Sequence, residues 1–284
     1  MSVFKDLFLG VGAMKAGTTW IVQHIRTHPD IYFTYEKEIS YLAYLHAKNC
    51  KFILSDDYRI KKAKKYICQS NQNKITVFND LVTWCKNYLD SPINDQWYKN
   101  NFILQGKIRY SADFSNLNAH INDEGWKHAK SLAKNLKVLF VMRDPVQRVW
   151  SHIRFELQLH GQLDKLERWS KDELYRYAKQ NHIWRNSQYS DIVKRLKKNL
   201  NRKQLKIVFF DSIITSPIDL LNDVEKFLNV EERKYNLEQL QEKINPSKNI
   251  SIPPFFSEIL KDELYHEAKN LREIGIDIPK TWFK

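Results

Sequence analysis

The stretch LFLGVGAMKAGTTW, Leu7 to Trp20, decides the fold. It begins with an apolar run, Leu7-Phe8-Leu9-Gly10-Val11-Gly12, which predicts a buried strand. A turn carrying Gly12, Lys15 and Gly17 follows, and Thr18-Thr19-Trp20 opens a segment of helical periodicity through Ile21, Val22 and Ile25. Strand, glycine-bearing turn and helix N-terminus together cradle phosphate, because free backbone N–H groups and the positive end of the helix dipole point at the anion. Gly12 and Gly17 have the spacing of the nucleotide-binding loop GxxxxGK[ST], but Thr18 stands where that loop has lysine, and the lysine lies inside the turn at Lys15. An NTPase reaches the β and γ phosphates with the lysine after the second glycine and holds Mg²⁺ with the next Ser or Thr. A cation on the loop itself, followed by two hydroxyls, suits a single terminal phosphate or sulfonated phosphate and has no evident metal requirement. A turn whose glycines only ease packing is the plainer alternative.

A second signal lies between Leu136 and Phe155. Val138-Leu139-Phe140-Val141-Met142 reads as a buried strand closed by Arg143-Asp144-Pro145, and Val146 to Leu157 as a helix with Val146, Val149, Trp150 and Ile153 inward. Asp144 can cap that helix with Pro145 at its first position. Between the two signals come a short strand, Ile31-Tyr32-Phe33, and the charged run Tyr35-Glu36-Lys37-Glu38 before Ile39-Ser40-Tyr41-Leu42. A strand ending in the polar segment Ala112-Asp113-Phe114-Ser115 runs from about Gly106-Lys107. In a parallel sheet, ligands bind at the carboxyl ends of strands, so these loops fall near the phosphate turn.

The run Lys15-Ala16-Gly17-Thr18-Thr19-Trp20 resembles the 5′-phosphosulfate loop of sulfotransferases, which use 3′-phosphoadenosine 5′-phosphosulfate (PAPS) as sulfonate donor. Arg143-Asp144-Pro145, Arg148 and Ser151 resemble the family's Arg-Asp-Pro-x-x-Arg-x-x-Ser pattern, in which the first Arg and the Ser grip the ribose 3′-phosphate. Lys37-Glu38 is similar to the Lys-Glu-x-x-Phe/Tyr-Phe pattern of carbohydrate-type members, whose glutamate is the proposed base. The chain departs at Ser40, where many members have His, and at Phe114, where some carry a catalytic lysine. The resemblance implies a central parallel sheet flanked by helices, the α/β fold of P-loop nucleotide kinases, as one domain over 1–284. It implies sulfonate transfer to a hydroxyl or amine with release of 3′,5′-ADP. Lys15, Ala16, Gly17, Thr18, Thr19, Trp20, Arg143 and Ser151 are then the donor-binding residues. Sulfonate transfer needs a base for the hydroxyl proton and a cation for the bridging oxygen, roles that Glu38 and Lys15 can fill. Lys37 and Asp113 are candidate acceptor contacts, Asp113 alternatively capping a helix that starts near Asn116. Lys248, in the turn Asn245-Pro246-Ser247-Lys248, is a weak candidate for a late phosphate contact.

The remainder frames this core. Residues 46–102 read as a helical insertion, basic at Lys61-Lys62-Ala63-Lys64-Lys65 and aromatic at Trp84, Tyr88, Trp97, Tyr98 and Phe102. The aromatic spacing suits core packing or a wall of the acceptor pocket, and the lysines a solvated face. Residues 156–187 read as a helical cover with a break at His160-Gly161, and Leu205 to Asp211 as a further strand. The net charge of +13 implies anionic partners, for which the donor itself qualifies. Three scattered cysteines and nine histidines without metal-ligand spacing predict neither a disulfide framework nor a metal site. No run reaches the length of a membrane span, and no leader precedes the first strand, so a cytoplasmic enzyme acting on a small-molecule or saccharide acceptor is expected, without nucleic acid or membrane partners. Two rivals follow from the same residues: a P-loop-type small-molecule kinase, which lacks its lysine after Gly17, and a non-enzymatic basic polyanion-binding protein, which predicts strongly salt-dependent binding.

Overall fold

Strand β1 (Phe4–Gly10) is the middle strand of a five-stranded sheet of order β2-β3-β1-β4-β5, parallel throughout. The computed structural model describes residues 2–70, 75–102, 108–241 and 250–282. The other strands are β2 (Ile31–Phe33), β3 (Tyr110–Asp113), β4 (Ala133–Met142) and β5 (Leu205–Phe209). Burial explains the apolar runs: Leu7, Phe8, Leu9, Val138, Leu139, Phe140, Val141 and Met142 are inaccessible to solvent. A parallel sheet covered on both faces demands such continuous runs rather than alternation. The register sets Leu9 beside Asp113, Gly10 beside Leu139 and Phe33 beside Ala112, so β1, β2 and β3 end close to one level while β4 continues from Leu139 to Met142. The ladder continues past β1, with the Val11 amide on the Leu139 carbonyl at 3.0 Å and the Ala13 amide on Val141 at 2.8 Å.

The chain leaves β1 toward β2 and leaves β4 toward β5, in opposite directions across the sheet: β2 and β3 lie on one side of β1, β4 and β5 on the other. Ligand crevices open at such a switch point. Around it converge the loops after β1, β2, β3 and β4, which are the four motif segments.

Helix α1 (Thr18–Ile25) follows the turn after β1 and α2 (Tyr41–His46) the charged run. In the insertion, α3 (Asp56–Gln69), α4 (Ile75–Leu89) and α5 (Asp95–Asn100) carry the aromatic residues inward: Trp84, Tyr88, Trp97, Tyr98 and Phe102 are all core. Trp84 and Tyr88 stack at 4.8 Å, Tyr41 and Tyr98 at 4.7 Å. None of these rings is therefore open to an acceptor. Lys61, Lys64 and Lys65 are exposed, whereas Lys62 reaches inward to the Glu36 carboxylate at 2.8 Å. Helix α6 (Asp123–Leu132) leads into β4, which begins well before Val138.

Helix α7 (Pro145–Leu159) starts as its sequence dictates, with the Asp144 carboxylate accepting from the Gln147 amide and Pro145 in the first turn. Beyond it come the short helices α8 (Lys165–Arg168), α9 (Lys171–Ala178) and α10 (Asn181–Trp184), then α11 (Tyr189–Asn199), α12 (Phe210–Thr215), α13 (Pro217–Leu228), α14 (Leu237–Leu240), α15 (Pro254–Ile259) and α16 (Lys261–Glu273). A second apolar cluster joins one face of α7 to this cover and to the C-terminal helices through Trp150, Ile153, Leu174, Ile183, Phe256 and Leu264. The predicted strand start at Gly106-Lys107 and the candidate Lys248 lie outside the described residues.

Gly10 ends β1 against the Phe114 ring, and a Cβ placed there would sit 2.3 Å from Phe114 Cδ1. Phe114 is fully buried and packs edge-on against Phe8 at 5.1 Å, so it has nowhere to retreat. Gly10→Ala is expected to destabilise by about 1–3 kcal/mol as an overpacked core site. A thermal or denaturant melt checks this; an unchanged midpoint would mean that the ring yields freely.

Candidate active site

The turn between β1 and α1 is built from backbone conformations that few residues adopt. Gly12 has φ 115°, Lys15 φ 67° and Gly17 φ 89°. A Cβ at Gly17 would also meet Ile213 at 2.6 Å and Phe210 at 2.7 Å, both from α12. Lys15 is the non-glycine in this set, and a left-handed lysine is tolerated where the surroundings fix it, commonly at a functional site. The amides of Ala16 and Trp20 are spent within the turn, on the carbonyls of Ala13 and Gly17. The first-turn amides of Thr18 and Thr19 have no intrahelical acceptor in any helix, which leaves them for an anion.

Lys15 projects over the ring of Phe155, with Nζ 4.1 Å from its centroid. Burial and the neighbouring positive charges of Arg143, Arg154 and Lys37 push its pKa down to about 8, against a smaller opposing pull from Glu38. A cluster of cations that repel one another in a half-buried space is stabilised by a multivalent anion.

Lys37 stands on the loop between β2 and α2. Its Nζ donates to Thr18 Oγ1 at 3.2 Å, to Thr19 Oγ1 at 3.3 Å and to Glu38 Oε1 at 3.2 Å. It thus sits against the hydroxyls of the first turn of α1. The Glu38 carboxylate also accepts from Asn116, through Nδ2 at 2.9 Å and the backbone amide at 3.4 Å. Its side chain is one-third exposed. Glu36 accepts the Glu38 amide at 3.2 Å, so the Lys62–Glu36 pair braces this loop from α3.

Arg143, directly after β4, donates from Nη1 to the Lys15 carbonyl at 3.3 Å and from Nη2 to Gln147 Oε1 at 3.4 Å. Its guanidinium lies over Phe210 at 4.3 Å. Its Nε is buried without a hydrogen-bond partner among the described residues. The Arg143 carbonyl accepts from Tyr189 Oη at 2.8 Å, so Tyr189, fully buried, braces the arginine's backbone. Ser151 lies two turns into α7. Three of its helical neighbours at three- and four-residue spacing turn toward the loops: Gln147 to Arg143, Arg148 to the Met14 carbonyl at 3.4 Å, and Phe155 to Lys15. The structure therefore brings Lys15, Thr18, Thr19, Lys37, Glu38 and Arg143 together, with Ser151 on the helix α7 that also carries Gln147, Arg148 and Phe155.

Two candidates fall elsewhere. Trp20 is buried, its indole N–H on the Leu240 carbonyl at 3.1 Å, so neither its ring nor its amide faces the loop's concave side. Asp113 is buried completely and accepts from Tyr98 Oη at 2.9 Å and Ser115 Oγ at 2.5 Å. It neither touches an acceptor surface nor caps a helix. Burial, opposed by those hydrogen bonds, pushes its pKa up to about 7. Two residues outside the motifs, Asn116 and Arg154, and one within them that had no assigned role, Arg148, gain a place. Asn116 holds Glu38. Arg154 adds charge beside Lys15 and Arg143, and its Nη1 reaches the Ile250 carbonyl at 3.3 Å. Arg148, fully buried, ties the Met14 carbonyl to Ile183 O at 2.8 Å and Ser187 Oγ at 2.7 Å, joining the loop to the cover.

A parallel sheet of this order, with a glycine- and lysine-bearing turn at its switch point, defines an α/β protein of the P-loop nucleotide-kinase architecture. Within that class the chain belongs to the sulfotransferase family, whose model matches residues 8–234. Among solved structures it is similar to a sulfotransferase from Alicyclobacillus acidocaldarius, at TM-score 0.63 and 17% identity over 98% of each chain. The sulfotransferase domain of the curacin biosynthetic pathway superposes at TM-score 0.56 and 17% identity, covering 98% of this chain and 100% of that one. The sulfotransferase domain of the Synechococcus PCC 7002 olefin synthase gives 0.54 and 14%, over 98% and 96%. No curated protein sequence matches the chain. Among the described residues no helix is long and apolar enough to cross a membrane.

Proposed function

We propose that the chain moves a sulfonate group from PAPS to the hydroxyl or amine of a small-molecule or saccharide acceptor, leaving 3′,5′-ADP. The observation that carries this reading is the direct link between the two donor motifs: Arg143 Nη1 donates to the carbonyl of Lys15 across 128 residues of sequence. A loop suited to one phosphate and an arginine suited to another thus share one space. The residues fit a doubly phosphorylated donor on further grounds. Lys15, Lys37, Arg143 and Arg154 crowd together with Glu38 as the carboxylate among them, and the buried Arg143 Nε lacks a partner among the described residues.

The donor supplies an activated sulfonate on a phosphate leaving group. Lys15, Lys37, the Thr18 and Thr19 hydroxyls and the first amides of α1 hold the 5′ end. Arg143 and Ser151 hold the 3′-phosphate. Glu38 takes the acceptor proton, and Lys15 offsets charge on the departing phosphate oxygen. Phe155 and Leu159, exposed by 40% and 69%, offer the acceptor an apolar ledge beside Lys15. That ledge supports a compact organic acceptor; the buried aromatics of the insertion do not.

Incubation with labelled PAPS and a panel of alcohols, amines and sugars tests the reading. Labelled product with 3′,5′-ADP and no magnesium requirement is expected. Magnesium-dependent phosphorylation from ATP would replace it with a kinase, and salt-sensitive polyanion binding without turnover would make the chain a binding protein. In the same assay Arg143→Ala is expected to raise the donor KM by about 10–100-fold, the worth of charge-assisted hydrogen bonds, with kcat within a few-fold. An unchanged donor KM would remove Arg143 from the site.

A further inference from the structure

Glu38 is held by a residue outside every motif. Asn116 follows the loop after β3, and its side-chain amide stands between two functional groups. Nδ2 donates to Glu38 Oε1 at 2.9 Å, while Oδ1 accepts from the Thr18 hydroxyl at 3.2 Å. A carboxylate only accepts, so this is the amide orientation that satisfies both neighbours. The Asn116 backbone amide adds a second contact to Glu38 Oε2 at 3.4 Å.

Asn116 is itself fixed. It is 7% exposed and follows Ser115, whose Oγ accepts from the Ser40 amide at 2.7 Å and donates to Asp113. The Phe114 amide donates to the Lys37 carbonyl at 3.2 Å. The loop carrying Glu38 and the loop carrying Asn116 are therefore tied together on both sides of the carboxylate. Two polar side chains that the family pattern offers, a His in many members and a lysine in some, are missing here. Ser40 replaces the His two residues after the glutamate and sits at φ 60°, while Phe114 replaces the lysine and is buried under Gly10.

We infer that Asn116 is the positioning residue of Glu38, orienting the carboxylate toward the acceptor and registering it against the donor loop through Thr18 in place of the absent His. This rests on Glu38 acting as the base. Lys37 also contacts Glu38, but it contacts Thr18 and Thr19 as well, and a bound anion competes for its charge. Asn116 carries no charge to lose, so its hold on Glu38 persists with the donor in place.

The experiment combines Asn116→Ala, the near-isosteric Asn116→Asp, Glu38→Gln and the double variant Glu38→Gln/Asn116→Ala, each assayed with PAPS and titrated with 3′,5′-ADP. Asn116→Ala is expected to lower kcat on the order of 10–10²-fold, the cost of a misplaced catalytic group, with donor KM and 3′,5′-ADP affinity within about threefold of wild type. Asn116→Asp, the near-isosteric alternative should the alanine variant not fold, sets a second carboxylate against Glu38 and is expected to lose at least as much. In the Glu38→Gln background, loss of the Asn116 side chain is expected to cost less than about twofold more, since residues acting as a unit are not additive. Glu38→Gln inactive beside Asn116→Ala and Asn116→Asp at wild-type kcat would overturn the inference and leave the base assignment standing. Full turnover in Glu38→Gln would overturn both. A fall in 3′,5′-ADP affinity matching the fall in kcat/KM would make Asn116 a support of the loop instead.

Discussion

Lys15→Ala is expected to lower kcat on the order of 10²–10³-fold, the loss that follows removal of one preorganised group from a developing charge. The effect is large because the position is fixed: a left-handed backbone at φ 67° and the ring of Phe155 4.1 Å below Nζ aim the ammonium at the concave side of the loop. The neighbouring Lys37 is held on Thr18, Thr19 and Glu38 and does not replace it. Lys15 also gives donor binding a pH limb of definite sign. Its pKa, pushed down to about 8 by burial and by Arg143, Arg154 and Lys37, leaves it charged below that pH and neutral above. Donor affinity therefore holds below pH 8 and falls as pH rises beyond it, by up to about tenfold per unit, because binding must then take up a proton. Lys15→Arg keeps its charge and is expected to abolish that limb. Titration with 3′,5′-ADP from pH 6.5 to 9.5 measures both. Wild-type turnover in Lys15→Ala, or a flat affinity profile in wild type, would take Lys15 out of the account.

Glu38→Gln carries the other large effect. It keeps the shape of the side chain and removes its ability to accept a proton, so kcat is expected to fall on the order of 10²–10⁴-fold, the range for general acid–base catalysis. Donor affinity is expected to stay within a few-fold, since Glu38 contributes negative charge to a site built for an anion. The split between kcat and donor KM is the diagnostic. A variant that loses donor binding and retains kcat would make Glu38 a loop residue instead of the proton acceptor.

Much of the architecture is legible in the sequence because burial on both faces of a parallel sheet writes itself as unbroken apolar runs. Leu7 to Gly10 and Val138 to Met142 carry that signal, and Asp144-Pro145 marks the start of α7 through capping chemistry that is local. The shape of the loop is legible because it is local: Gly12, Lys15 and Gly17 set the backbone of one turn. What the sequence hides is contact between distant segments. Asn116 gains its place because β3 lies between β2 and β1, which sets it against Glu38, 78 residues earlier, and against Thr18. Lys62 looks like any member of a basic helix face until Glu36 is brought within 2.8 Å. Trp20 and Asp113 show the opposite case. Their positions in motifs point to the site, while tertiary packing turns the indole to Leu240 and closes Tyr98 and Ser115 around the carboxylate. The signal that could have found Asn116 is topological: a polar residue just past the carboxyl end of a strand neighbouring β1.

The central claim is that Lys15 with its loop and Arg143 with Ser151 hold opposite ends of one doubly phosphorylated adenosine. A crystal structure with 3′,5′-ADP tests it directly. The account predicts a single nucleotide, its 5′-phosphate on the Thr18 and Thr19 amides and Lys15, its 3′-phosphate on Arg143 and Ser151. A nucleotide that engages one of these anchors while the other opens onto a separate cavity would contradict it.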